Sequence, residues 1–262
     1  MYSQRELTGH LRALGVREGE VLLVQSSARA VGPVRDRTRT IVAALREALG
    51  EGGTLVAYTA TPENSRTSPL HKAATAGLSG DELRRFVDGM KAFDREHTPA
   101  SPTMGRVAEE IRLLRGAVRS NHPQTSFTAV GPMAEELTAD HDLDCHLGER
   151  SPVNRLYKAG ARVLLISVPW SCCTVFHLAE YRRPDPPLQH YATVVTGADG
   201  RRTWARFEAP RLETAHFEQM AAEIVDGIPG VERGPFGDAG CVLMPIAETV
   251  DVATEWLLKS QS

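Results

Sequence analysis

Glu20-Val21-Leu22-Leu23-Val24-Gln25-Ser26-Ser27 is the stretch on which the fold turns. Four apolar residues run together without a polar alternate, between Gly19 and a serine pair, the pattern of a short strand buried on both faces. Such a strand needs cover above and below. Upstream, Ser3 and Glu6 form a capping box, Leu7, Leu11 and Leu14 follow at helical spacing, and Gly15 stands where a left-handed C-terminal cap belongs. Downstream, Ile41 to Leu49 predicts a second helix stopped by Gly50, and Thr54 to Thr59 a second buried strand. The order αβαβ predicts a sheet with flanking helices, and the serine-ended strand marks a candidate site.

Pro62 to Pro102 is polar and proline-rich apart from one helix, opened by the Ser79-x-x-Glu82 capping box and carrying Leu83 and Phe86. It reads as a long functional excursion. Phe127 to Val130 and Val163 to Ile166 add two strands, with a helix between them opened by Ser151-Pro152 and closed by Gly160. Tyr191 to Thr196 and Thr203 to Phe207 alternate around Gly197-Ala198-Asp199-Gly200, a hairpin signal, and helices near 213–226 and 246–259 close the chain. No repeat, low-complexity tract or linker interrupts this order, so one domain over residues 1–262 is expected.

The formal net charge of -3, with both signs interspersed, lacks the basic field that nucleic-acid binding requires. Nowhere do about 18 apolar residues run together, and the N-terminus has no signal-peptide pattern, so a soluble cytoplasmic protein without a membrane partner is expected. Among macromolecular partners, only a homodimer is left open. The four cysteines, Cys145, Cys172, Cys173 and Cys241, form no C-x-x-C pair and are expected as reduced thiols.

The chemistry-bearing constellation is Thr174-x-x-His177-x-x-Glu180, placed after the strand Val163 to Ile166. Residues three apart share a helix face, so the Glu180 carboxylate can accept from one nitrogen of His177 and leave the other as a neutral acceptor for the proton of an attacking amine. The same spacing suits a plain His-Glu pair on a solvated helix. Ser26-Ser27, and Ser120-Asn121-His122-Pro123 with Ser126, can offer hydroxyls and N–H groups to a phosphate, or serve as ordinary turns. His177-x-x-Glu180 and Glu213-x-x-His216 each pair metal-ligand types, but an alternating β/α chain lacks the long antiparallel helices of a di-iron bundle, and no metal is expected. Cys172-Cys173 beside His177 reads either as a nucleophile with its base or as packing. No phosphate-cradling G-x-x-x-x-G-K-[ST] or G-x-G-x-x-G is present.

Read in order, the segments resemble the antibiotic N-acetyltransferase family, the aminoglycoside 3-N-acetyltransferases, almost end to end. The resemblance is carried by Val24-Gln25-Ser26-Ser27, Gly52-Gly53-Thr54-Leu55, Thr61-Pro62-Glu63-Asn64-Ser65, Phe93-Asp94, and Thr98-Pro99 with Met104-Gly105. It continues through Arg119-Ser120-Asn121-His122-Pro123, Ser126 to Gly131, Gly148 with Ser151-Pro152, and Thr174-x-x-His177-x-x-Glu180.

The resemblance implies a three-layer α/β/α fold with a central mixed sheet, unlike GNAT acetyltransferases. It also implies transfer of an acetyl group from acetyl-CoA to the 3-amino group of a 2-deoxystreptamine aminoglycoside, directly and without a metal. By it, Ser26, Ser27, Thr98, Met104, Gly105, Ser120 and His122 line the coenzyme A site. His177 is the general base, Glu180 orients it, and Thr174 stands near the thioester carbonyl, where its hydroxyl can serve an oxyanion. Glu63, Asn64, Asp94, Trp170 and Cys173 fall on the acceptor side. The departures also lie there: Gln25 replaces a histidine common in the family, Ala57-Tyr58-Thr59 lacks an expected proline, and Ser167 to Cys173 replaces a glycine-containing segment. A polycation needs several carboxylates around it, whereas Trp170 suits a flatter, less charged amine. An acyltransferase for another amine, and a catalytically silent binding protein, are the alternative readings.

Overall fold

The computed structural model describes residues 1–260, and residues 261–262, the end of the domain expected over 1–262, lie outside them. The first half runs α1 (Gln4–Ala13), β1 (Val21–Ser26), α2 (Thr38–Leu49), β2 (Thr54–Tyr58), α3 (Pro69–Thr75), α4 (Gly80–Gly89), α5 (Gly105–Arg112), β3 (Val118–Arg119), β4 (Phe127–Val130) and α6 (Ala134–Thr138). The second runs α7 (Pro152–Lys158), β5 (Arg162–Ile166), α8 (Phe176–Tyr181), β6 (Leu188–Thr196), β7 (Arg202–Pro210), α9 (Phe217–Ile224), β8 (Glu232–Phe236), β9 (Ala239–Pro245) and α10 (Ile246–Lys259). The capping boxes at Ser3/Glu6 and Ser79/Glu82 both form, so these helices start where the sequence reading puts them.

Seven strands form one mixed sheet in the order β3-β4-β2-β1-β5-β9-β8. β2, β1 and β5 are parallel at its centre, and antiparallel strands finish both sides. Val21 and Leu23 of β1 and Val163 and Leu165 of β5 face one core with α6 to α10; Leu22, Val24, Leu164 and Ile166 face the other with α1, α2 and α5. The apolar run thus alternates between two buried faces, and each fully buried aliphatic contributes about 1.5–3 kcal/mol. This is the three-layer α/β/α arrangement.

The expected hairpin forms as β6 and β7, longer than predicted and as a separate two-stranded sheet. The Pro62 to Pro102 excursion is strapped to it. Asn64 donates to the Val194 carbonyl at 3.0 Å and accepts from its N–H at 2.9 Å, and Phe93 N–H donates to the same carbonyl at 3.1 Å. Among the described residues no helix is long and apolar enough to cross a membrane.

Candidate active site

The parallel centre of the sheet aligns strand ends: Ser26 is level with Ile166, and Val24 with Ala57 one residue short of Tyr58. Open α/β sheets bind ligands beyond such carboxyl ends. Ser167 leaves β5 in a left-handed conformation, φ 45°, and turns the chain across the end of β1 through a tight turn at Trp170–Cys172. There the Gln25 side chain catches it. Its amide nitrogen donates to the Cys172 carbonyl, and its oxygen accepts from Thr174 N–H at 3.2 Å. Gln25 thereby replaces two backbone partners that an irregular segment would otherwise leave unsatisfied.

α8 follows and carries the dyad. His177 Nδ1 lies 2.5 Å from Glu180 Oε2, and both residues are buried. A neutral imidazole beside an ionised carboxylate, which only accepts, carries its proton on the facing Nδ1 and leaves Nε2 as an acceptor. Glu180 Oε1 lies 3.4 Å from His216 Nε2. Thr174 Oγ1 is buried without a partner.

His177 and Thr174 line a cavity of about 270 Å3 together with Ser26, Tyr58, Thr103 and Met104. A second cavity of about 350 Å3 shares Tyr58 and Met104 and extends along Ser65, His146, Tyr191 and Glu213. Gly105, which follows Met104, has a φ of +83°, a glycine conformation, and a Cβ there would lie 3.4 Å from the Ser26 carbonyl. The Cys172 thiol is at the rim of the first cavity, and burial raises its pKa above that of a free thiol.

The sequence-predicted residues divide. Ser26, Met104, Thr174 and His177 share one cavity, with Glu180 behind the histidine and Gly105 beside Ser26, while Ser27 N–H donates to Ile166 at 2.9 Å. Thr98 and Asp94 close their own turn: Asp94 N–H donates to Thr98 Oγ1 at 2.8 Å, and the Asp94 carboxylate caps the N–H groups of Glu96 and His97. Those bonds hold the Asp94 pKa below the usual carboxylate range. Glu63 accepts from Ser101, Asn64 is the strap to Val194, and Trp170 packs near Phe176 at 6.3 Å. Cys173 is fully buried and its thiol is pushed up to about 12 by desolvation, so it is the neighbouring Cys172 that meets the cavity.

Ser120 and His122 are completely buried in a hydrogen-bonded cluster and line neither cavity. His122 Nδ1 accepts from Gln124 N–H at 3.1 Å and Thr125 N–H at 3.0 Å, and Nε2 donates to the Leu143 carbonyl at 3.2 Å. Ser120 Oγ pairs with His141 Nδ1 at 2.9 Å. Buried Arg119 donates to Thr59, Ser126 and Thr98 and ties this cluster to the excursion. Thr103 and His146 line the cavities with no local pattern to mark them, whereas Gln25 and Tyr58 entered the sequence reading only as departures from the family pattern, Cys172 as a nucleophile or packing residue, and His216 as half of a rejected metal-ligand pair. Among the described residues no group of three or more His, Cys, Asp and Glu is placed to hold a metal.

The profile described as aminoglycoside 3-N-acetyltransferase matches residues 23–258. The chain belongs to this family. Aminoglycoside N(3)-acetyltransferase VIII of Streptomyces fradiae is 38% identical over 266 residues, covering 96% of this chain and 90% of that protein. The crystal structure of YokD from Bacillus subtilis superposes with a TM-score of 0.90 at 28% identity, covering 97% of this chain and 93% of that one. A structure of AAC-IIIb as a binary complex with CoASH gives 0.84 at 29% identity, covering 99% and 97%. Aminoglycoside 3-N-acetyltransferases are enzymes, and the mixed sheet described above is theirs rather than that of GNAT acetyltransferases.

Proposed function

We propose that this chain, as one domain over residues 1–262, transfers an acetyl group from acetyl-CoA directly to an amine, with His177 as the general base. One observation carries the reading. A buried histidine has its Nδ1 fixed by Glu180 at 2.5 Å and lines a cavity beside the unpartnered Thr174 hydroxyl. An orphaned buried hydroxyl costs about 1–3 kcal/mol, which a ligand carbonyl would relieve. Ser26, Thr103 and Met104 line the same cavity and are the groups that would hold the donor. Acetyl-CoA supplies the activated acetyl group; a relative, AAC-IIIb, is known bound to CoASH. His177 Nε2 takes the proton of the incoming amine, and Glu180 holds the ring and balances its charge. Gln25 fixes Thr174 relative to β1.

The acceptor implied by the family is an aminoglycoside 3-amino group. One observation favours a less charged amine. Glu213 is the single carboxylate lining the second cavity, and it pairs with Arg211 of the same cavity at 2.9 Å. That wall is close to neutral, and a polycation gains little there.

A thiol-release assay with acetyl-CoA decides between these readings. Kanamycin-type, gentamicin-type and simple aromatic amines are compared. Acyl transfer predicts thiol release that depends on both enzyme and amine. A near-neutral wall predicts that kcat/KM for aromatic amines exceeds that for kanamycin and depends weakly on salt. Coenzyme A binding without release for any amine would leave only a binding protein.

A further inference from the structure

Glu180 has two oxygens, and the dyad uses one. The other, Oε1, faces His216 Nε2 at 3.4 Å. His216 precedes α9, so neither the strand-end logic nor the His177–Glu180 spacing predicts it here. Its Nε2 is buried without a hydrogen-bond partner; at this distance and alignment the contact to Glu180 falls short of one. Contacts of catalytic side chains are often long before substrate binds and tighten in the complex. The ring is held from behind: it stacks on Trp256 of α10 at 6.4 Å with planes 8° apart, and Trp256 Nε1 donates to Glu223 of α9 at 2.6 Å. Phe217 closes its edge at 4.9 Å. A ring held in this way, with its buried unpartnered Nε2 against the orienting carboxylate, is placed to serve that carboxylate.

We infer that His216 is a positioning residue of the catalytic dyad: it holds Glu180 Oε1, and so fixes the carboxylate plane that presents Oε2 to His177. The inference rests on His177 being the base. Facing His216 are Glu180 and His177 from α8, Arg183 just beyond the end of that helix, Glu213 from its own segment, and Trp256 from α10. Burial, with His177 and Arg183, outweighs the two carboxylates and keeps His216 below the ordinary histidine pKa. Neutral, it can donate one N–H to Glu180. Protonated in acid, it becomes a charged competitor for that carboxylate and draws it from His177.

Deleting the donor leaves Glu180 with more charge to spend on a protonated His177. The acidic limb of kcat/KM should therefore move to higher pH. The test measures pH profiles of wild type, His216→Ala, His216→Gln and His177→Ala with acetyl-CoA and one accepted amine, alongside thermal melts. His216→Ala should lower kcat about tenfold at neutral pH, leave KM for acetyl-CoA within about twofold, and shift the acidic limb upward by about half a pH unit. His216→Gln, which keeps an N–H donor, should recover most of kcat. A merely structural His216 predicts lower melting temperatures with an unshifted profile in all folded variants, and that result overturns the inference. If His177→Ala itself keeps more than about a tenth of kcat, the base assignment fails, and the positioning role falls with it for that separate reason.

Discussion

His177 and the trio of His122, His141 and His146 belong to neighbouring parts of one molecule, and their surroundings set them opposite tasks. His177 has a carboxylate on one nitrogen and a cavity at the other. The trio is packed ring on ring, with centroids 4.5 and 4.8 Å from His122, and those of its nitrogens that are hydrogen-bonded meet backbone carbonyls and N–H groups, hydroxyls and an amide rather than a carboxylate. Desolvation dominates there: it pushes His141 down to about 4 and His146 to about 3, and lowers His122 as well. Burial alone makes a histidine a neutral packing and hydrogen-bonding unit, whereas burial with one carboxylate and one open nitrogen makes a base.

The largest expected effect breaks the dyad. His177→Ala should lower kcat by about a hundredfold to ten-thousandfold, with coenzyme A affinity unchanged in a calorimetric titration. Glu180→Gln should cost less, because the imidazole survives. The mirror experiment breaks the trio. His122→Leu strands the N–H groups of Gln124 and Thr125 in a dry interior and should cost about 2–4 kcal/mol in denaturant unfolding. Turnover of the molecules that stay folded should remain within about threefold of wild type. A kcat loss as deep as that of His177→Ala would erase the distinction between the two groups.

A third comparison is made by acid. Histidines whose folded pKa lies below the unfolded 6.5 resist protonation in the native state, so their stability is full above pH 6.5 and drains away as pH falls toward about 4 for His141 and about 3 for His146. Each such group adds up to about 1.4 kcal/mol of loss per pH unit inside that window. Melting temperature should fall between pH 6.5 and 4, and His141→Gln should flatten that slope; an unaltered slope would mean that carboxylates elsewhere control acid unfolding. The smallest effect separates adjacent cysteines. Cys173→Ser puts a hydroxyl into a closed core and should cost about 1–2 kcal/mol, while Cys172→Ser should leave stability unchanged and alter acceptor preference. A labelled acetyl-thioester trapped on Cys172 with acetyl-CoA alone would contradict direct transfer.

What could be read from sequence followed from periodicity and caps. The run Val21 to Val24, the Ser3 and Ser79 boxes and the Thr174-x-x-His177-x-x-Glu180 spacing each have a local cause, and each appears where expected. β8 escaped because Glu232-Arg-Gly-Pro-Phe236 has little strand propensity and is a strand through its pairing with β9. α5 was hidden by its glycine start, although Val107, Ala108 and Ile111 carry the helical stripe. The site residues that escaped are those recruited across long chain separations: Gln25 reaches Cys172 and Thr174, and His216 reaches Glu180. Ser120 and His122 show the converse. Their serine-and-histidine pattern reads as a phosphate cradle, and the structure spends their polar atoms on holding β4 and the following loop.

The strap between the Pro62–Pro102 excursion and the β6–β7 hairpin has a bearing on how this scaffold could be re-engineered. Besides Asn64 and Phe93 on Val194, Arg66 N–H donates to Ala192 at 3.3 Å, Ser65 bridges Thr193, and Arg202 donates to Met90 at 2.6 Å. Residues 62–104 and 188–210 therefore form an exchangeable cassette that supplies Ser65, Gln189 and Tyr191 to the second cavity, while Thr174, His177 and Glu180 stay on the chassis of the main sheet. Transplanting either half alone would tear the strap. Grafting both together from a relative would transfer half of the second cavity's wall while leaving the proton-transfer machinery in place.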